Sequence, residues 1–406
     1  MEMEKVDTNE EQKTQVHTAD ITETVAKHYN QLQEAGLETR KESRIFFLRN
    51  FNNWIKSVLI GETINKIRES RSHDKLSVLD LCAGKGGDLL KWRKARISKL
   101  VCADIAETSV EQCEARYKEM VDRNARDRYP QPIFSSEFIA ADCTKTRLKE
   151  KYKDPNTEFD VCSCQFSFHY CFESLPQAEM MLRNACECLK LGGYFIGTTP
   201  NSYEIVHRLR QSTDNSFGNE VYRITYEADD TEHIPLYGAK YNFHLEGVVD
   251  CPEFLVYFPA LEKMAEEFGM KLVLRKSFAE YFKEKSQQGD HSSLLRKMKA
   301  LETYPAEEGT NLVSEKSDDY KAVEAQVKHL QESEEQADDR HRRPIQVGTL
   351  SQAEWEATTI YCVFVFRKVF DITTGEQLEE YTDSHKRHAD NKEQTEDSAN
   401  KLQKVS

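Results

Sequence analysis

The densest chemical signal in the chain is Val78-Leu79-Asp80-Leu81-Cys82-Ala83-Gly84-Lys85-Gly86-Gly87-Asp88, an apolar run that meets a glycine-rich turn just before the helical Leu89-Leu90-Lys91-Trp92. Small residues in such a turn let a ligand approach the backbone, and the helix that follows offers free N–H groups. Two familiar phosphate-binding patterns fail here. A P-loop needs Gly five positions before its Gly-Lys pair and Ser or Thr after it, and those positions hold Leu79 and Gly86. The dinucleotide fingerprint needs a glycine at the sixth position counted from Gly84, where Leu89 stands. What remains is an acid near the strand end, a small-residue turn, and Asp104 twenty residues after Gly84. A carboxylate so placed can bind both hydroxyls of a ribose. Asp142, in Ala140-Ala141-Asp142, is set to accept from an adenine amino group, and Gln165 follows the next apolar run. Taken singly, Asp104 and Asp142 could be helix N-caps and Asp80 a brace for the turn. Taken jointly, polar groups at the ends of successive strands point to a site for a nucleoside-type cofactor.

These groups need a sheet to bring them to one edge. Short β-rich runs at Leu76–Leu81, Leu100–Asp104, Glu137–Ala141, Phe159–Cys164, Tyr194–Thr198, Lys271–Leu274 and Ile360–Phe366 supply seven candidate strands, with amphipathic segments between the first five. That pattern predicts a doubly wound α/β domain whose ligands sit at the carboxyl ends of the strands. Residues 214–250, with the runs Glu220–Tyr226 and Lys240–Leu245, read as an inserted β-rich lobe able to roof that edge.

Composition limits the partners. The net charge of −14 is concentrated in residues 1–24, 306–340 and 371–406, which together carry −16 and leave the body near +2. An anionic ligand is therefore compatible with the body, while the broad basic face of a duplex-binding protein is not indicated. The three acidic segments are polar and poor in aromatics, so residues 1–24 and 371–406 are expected to be disordered tails and 306–340 a mobile insertion. The eleven cysteines include no CxxC pair, so they read as reduced thiols, with no metal expected. No apolar run approaches the roughly 20 residues needed to cross a bilayer, and the N-terminus lacks a basic-then-apolar leader.

Longer stretches resemble a specific family. Residues 49–56 (RNFNNWIK), 84–92 (GKGGDLLKW), 162–166 (CSCQF), 193–201 (GYFIGTTPN), 252–259 (PEFLVYFP) and 354–358 (EWEAT) are similar to the eukaryotic mRNA cap guanine-N7 methyltransferases, which are class I S-adenosylmethionine-dependent enzymes. The likeness spans about residues 20–370. It implies a seven-stranded Rossmann-like sheet with an antiparallel last strand, a catalytic domain over residues 25–370, and transfer of the S-adenosylmethionine methyl to N7 of the capping guanosine, leaving S-adenosylhomocysteine. By position, the resemblance assigns Lys56, the backbone at Cys82 and Gly84, Asp104, Asp142, Gln165 and Tyr170 to the cofactor. It assigns Asn52, Asn53, Lys85, Lys91, Arg116, His169, Glu253 and Tyr361 to the cap. The chemistry suits these types: the cations can meet the triphosphate bridge, Glu253 the N1–H and amino edge of guanine, and His169 and Tyr361 the base or its ribose.

Guanine N7 carries a free lone pair at neutral pH, so no catalytic acid, base or nucleophile is assigned. The resemblance further implies the capped 5′ end of mRNA as partner, a nuclear location, no membrane, and the small activating RNA-binding subunit with which vertebrate members work. The chain departs from the family at the turn. Where relatives read Asp-Leu-Gly-Cys-Gly, it has Asp80-Leu81-Cys82-Ala83-Gly84. A positive φ at Cys82 would cost about a kcal/mol, whereas an extended conformation would be harmless. Two other readings stay open at this level: a methyltransferase of another nucleotide, small molecule or protein side chain, and a noncatalytic scaffold that binds cofactor or cap.

Overall fold

The run Phe159–Gln165 is buried at every position, as a strand covered on both faces must be. In the computed structural model, which describes residues 21–31, 42–70, 75–228, 232–334 and 345–379, it is the centre of a seven-stranded sheet. The strands are β1 (Ser77–Leu81), β2 (Lys99–Asp104), β3 (Ser135–Ala140), β4 (Phe159–Gln165), β5 (Leu189–Pro200), β6 (Met270–Ser277) and β7 (Tyr361–Lys368). Their spatial order is β6-β7-β5-β4-β1-β2-β3. The first five strands run parallel, and β7 is antiparallel to both β5 and β6, as expected.

Alternation along each strand feeds two apolar layers. Val78, Leu100, Cys102 and Val161 face one core, shared with Phe51, Trp54 and Val58 of the helix Phe46–Ser70. Leu79, Leu81, Val101, Ala103, Cys162 and Cys164 face the other, shared with Met181, Leu182 and Ala185 of the helix Leu175–Cys186. Because β2 and β3 lie on one side of β1 and β4 on the other, the chain reverses its direction of progress between β1 and β4. Leu81 pairs with Cys164 at that point, and a crevice opens beyond the two carboxyl ends.

The inserted lobe is a four-stranded antiparallel sheet of Ser216–Gly218, Tyr222–Tyr226, Lys240–Leu245 and Val249–Phe254. Tyr222, Ile224 and Tyr226 alternate with exposed residues, and so do Tyr241, Phe243 and Leu245. All six join the core of the long helix, so the lobe is fixed against the body. Its last strand continues past the expected limit at residue 250, and that extension carries Glu253 inward.

Within the acidic segment 306–340, expected to be mobile, the described part holds the helix Lys321–Glu334. Tyr320 precedes it, stacked on Tyr304 with ring centroids 5.5 Å apart and donating to Glu302 at 2.7 Å. Residues 335–340 of that segment lie outside the described residues. Most of the two expected tails does too, namely 1–20 and 380–406. Residues 21–24 open the helix Ile21–Gln31, and residues 371–379 turn back so that Leu378 N–H reaches the Val369 carbonyl at 3.0 Å. Among the described residues, no helix is long and apolar enough to cross a membrane.

Candidate functional site

The turn after β1 uses left-handed backbone three times, at Cys82 (φ 55°), Gly84 (φ 51°) and Gly86 (φ 75°). A β-carbon on Gly86 would lie 2.7 Å from Leu89 and 2.8 Å from the Cys113 sulfur, so glycine is required there by shape as well as by φ. Cys82 therefore takes the costly conformation, which settles the alternative that the sequence left open. The neighbouring Cys82 thiol, followed by burial, pushes Cys164 well above the ordinary thiol range.

Asp104 ties the turn to β2. Its carboxylate accepts from Gly84 N–H at 2.8 Å and from Ala106 N–H at 2.9 Å. Burial raises its pKa, and the backbone N–H groups of Ala106 and Gly84 pull the other way without cancelling the rise. It is not an N-cap: the following helix, Glu107–Ala125, starts after Ala106 with no side-chain cap. Asp142 accepts from the N–H and hydroxyl of Thr144 at 2.9 and 2.6 Å, leaving its second oxygen 3.6 Å from Lys145. Asp80 braces the following helix rather than the turn, since it accepts from Trp92 Nε1 at 3.0 Å. Burial, and then Asp88, push Asp80 up to about 7.

A cleft with about 540 Å³ of empty volume opens at the β1/β4 crevice, bounded in part by Cys82, Asp142 and Tyr170. It thus gathers three of the expected cofactor residues, and Asp104 is one residue from Ile105 in its wall. Sequence reasoning missed Val25, Ile105, Cys143, Ser167 and Cys171, which also line it. Ile105 and Ser167 carried a usable signal, because each follows a strand-end polar group by one or two residues. Val25 carried none, being brought in from the separate helix Ile21–Gln31. The apolar walls, the two carboxylates Asp142 and Glu173 and a small-residue turn fit an adenosyl group. Gln165 stands at the end of β4, outside this lining. Its amide is held between the hydroxyls of Ser163 (3.1 Å) and Thr198 (3.2 Å).

Beside the cleft the lobe delivers Glu253, 3% exposed. Its carboxylate accepts from Tyr241 at 2.7 Å and from Tyr170 at 3.5 Å, and His169 Nε2 lies 3.2 Å away. That last contact is close enough for a charge pair but is not aligned as a hydrogen bond, so neither ring nitrogen of His169 has a hydrogen-bond partner among the described residues. His169 is 1% exposed and packs against Tyr170 with ring centroids 4.3 Å apart and the ring planes tilted by 41°. It therefore meets Glu253 in this structure, whereas the base or ribose was the expected contact. Tyr241 was not anticipated, because only strand register places it opposite Glu253. Burial, and then Glu253, push its phenol well above the usual range. Tyr361 packs edge-on against Phe166 at 5.0 Å and near Phe278 at 5.7 Å, forming an aromatic wall. Phe166 is itself left-handed (φ 59°), with its N–H fixed by the Thr198 carbonyl and hydroxyl, each at 3.0 Å.

The cations fall into two groups. Lys56 and Lys91 flank Asp88 at 2.8 and 2.7 Å, and Lys91 also donates to Asn53 at 3.1 Å. Burial opposes ionisation of Asp88, but the two lysines outweigh it and hold the acid at about 2. Burial and the neighbouring Lys56 lower Lys91. Separately, Arg116 reaches from the helix Glu107–Ala125 to donate to the Lys85 carbonyl at 2.7 Å. Asn52 is turned toward the helix Gln352–Thr358, accepting from Thr358 at 2.6 Å. Among the described residues no group of three His, Cys, Asp or Glu could hold a metal ion.

Residues 12–369 match the family model described as the mRNA (guanine-N(7))-methyltransferase domain. An mRNA cap guanine-N(7) methyltransferase of Drosophila melanogaster is 48% identical over 367 residues, covering 89% of this chain and 81% of the relative. One from Caenorhabditis briggsae is 43% identical over 360 residues, covering 87% and 88% of the two chains. A third, cap methyltransferase 1 of Oryza sativa, is 37% identical over 349 residues, covering 85% and 80%.

Proposed function

The chain belongs to the mRNA (guanine-N(7))-methyltransferase family, and on that premise we propose that the crevice beyond β1 and β4 and the lobe-delivered Glu253 are the two halves of its active site. The protein transfers a methyl group from S-adenosylmethionine to N7 of the 5′ guanosine cap of mRNA. When bound, S-adenosylmethionine supplies an electrophilic sulfonium methyl.

The protein's part is placement. Asp104 receives the ribose hydroxyls, Asp142 the adenine amino group, and the left-handed backbone at Cys82 and Gly84 gives close approach. Lys56 takes the carboxylate end, and Gln165 and Tyr170 close the cofactor side. Glu253 accepts from the N1–H and amino edge of guanine while Tyr361 bounds the base. Asn52, Asn53, Lys85, Lys91 and Arg116 serve the ribose and triphosphate. His169 acts through Glu253, by placing a polarisable ring against the carboxylate. N7 needs no deprotonation, so rate comes from alignment and from the electrostatics around a positive charge that is lost in the transition state.

The observation that carries this reading is Tyr170, which lines the cofactor cleft while its hydroxyl reaches Glu253. One residue therefore borders both ligands. Nuclear location, a small activating RNA-binding subunit, and the division into acidic ends around a catalytic body of residues 25–370 belong to the same proposal and rest on the family. The test is a radiolabelled methyl-transfer assay on GpppRNA, uncapped RNA, GTP and histone. Label on the GpppRNA cap is expected; label on histone or uncapped RNA in its place overturns the reading.

A further inference from the structure

A second concavity, with about 1210 Å³ of empty volume, runs between the helices Phe46–Ser70 and Leu89–Lys94, with the helix Gly289–Lys297 contributing to its wall. Its floor is one face of the long helix: Asn53, Ser57, Gly61, Asn65 and Arg68 recur at helical spacing, with the buried Ile60 and Ile64 beneath them. Among the described residues, Arg68, Lys91 and Lys94 are its charged lining residues and no carboxylate lines it, in a chain with 70 acids against 56 bases.

Two further features suggest an occupant. Gly61 stands inside the helix, where glycine costs roughly 1 kcal/mol relative to alanine, yet a β-carbon there would meet nothing within 4 Å. Packing does not require it, and its bare backbone keeps the centre of the groove open. Leu90, 59% exposed, gives the groove an apolar lip.

We propose that this groove is the track for the single-stranded RNA that follows the cap, with Lys94 and Arg68 meeting its phosphodiesters and Leu90 its bases. The proposal rests on the reading that Asn53 and Lys91 serve the cap, because these two residues line the groove as well and make it continuous with the cap site. From Asn53 to Arg68 the helix rises about 22 Å, room for about six nucleotides at a stacked spacing of about 3.4 Å. The Arg68 guanidinium is held at the far end by the Ala95 carbonyl at 2.7 Å.

The test compares the wild-type chain with Gly61→Leu and Lys94→Glu on the cap dinucleotide GpppA and on capped RNAs of increasing length. Wild-type KM is expected to fall with length to about six nucleotides and then level. Each variant raises KM for RNAs beyond that length threefold or more, with KM for GpppA and the S-adenosylmethionine Kd unchanged. Gly61→Leu fills the groove without left-handed strain, so it folds with a melting temperature at or above wild type, and a loss cannot be laid to unfolding. A wild-type KM independent of length overturns the proposal. So does a length dependence untouched by both variants, the result if the groove docks a protein instead. A wild type that methylates neither GpppA nor any capped RNA would refute the cap reading itself, while methylation of GpppA with no length effect refutes only the groove.

Discussion

Replacing Glu253 by glutamine changes one atom and one charge at the point where the cap site should be most sensitive. Oε2 already accepts from Tyr241 at 2.7 Å, and Oε1 faces Tyr170 and His169. Each carboxylate oxygen keeps a second lone pair, so guanine N1–H and its amino group can each find an acceptor. In Glu253→Gln the single amide oxygen stays with the Tyr241 hydroxyl, and the –NH2 turns toward Tyr170 and the guanine edge, donor against donor. The loss is one charge-assisted hydrogen bond, about 1.5–3 kcal/mol, plus an unpaired buried donor, about 1–3 kcal/mol. A total of about 2.5–6 kcal/mol corresponds to a fall in kcat/KM of roughly two to four powers of ten. Steady-state methyl transfer to GpppA measures it, with calorimetric S-adenosylmethionine binding as the control, since Glu253 does not line the cofactor cleft. A kcat/KM within fivefold of wild type, or a parallel collapse of cofactor affinity, would refute the assignment.

Three other outcomes follow from the same geometry. Tyr241→Phe removes the hydrogen bond that orients Glu253, so kcat/KM should fall about tenfold, or about 1–1.5 kcal/mol; in the double variant with Glu253→Gln it should add little, which a double-mutant cycle checks. Cys82→Gly relieves left-handed strain of about 1 kcal/mol but frees the unfolded chain by a similar amount, so melting temperature and activity should stay near wild type; a large loss of activity would show that the thiol itself matters. Glu354 is pushed up to about 7 by burial, against the pull of its bonds to Ser351 and Leu48 and of Arg44. Its folded pKa exceeds its unfolded one, so its contribution is fully present below about 4.5 and is lost as pH rises through about 7. Thermal melts should therefore show Glu354→Gln gaining on wild type between pH 5 and pH 8, by up to about 3 kcal/mol.

What the sequence made legible were features local to a strand and the turn that ends it. Asp104, Asp142 and Gln165 could be placed on one edge because alternating β and helical runs imply a parallel sheet, and parallel strands all end on the same side. The antiparallel β7 needed the family resemblance. Partnerships that cross the fold were not legible. Tyr241 meets Glu253 through hairpin register, His169 reaches the same carboxylate from the turn after β4, and Val25 arrives from a separate helix. Within the basic run from Lys85 to Lys99, Lys91 is pinned beside Asp88 while Lys94 stays exposed. Tertiary contacts separate the two, since Lys91 shares Asp88 with Lys56 and donates to Asn53. At Cys82 the sequence posed a conditional that backbone geometry resolves, since three left-handed residues are needed to fold the turn back from β1.

A site that works by position alone should direct the methyl group to one nitrogen of a capping guanine. The most direct measurement is the location of the methyl group in the product: incubate the full-length chain with S-adenosylmethionine and GpppA, digest the cap, and identify the methylated nucleoside by chromatography and mass spectrometry. The expected result is 7-methylguanosine as the sole methylated species. Methyl on the ribose, on adenine or on the guanine amino group, or no methylated cap at all, would contradict it.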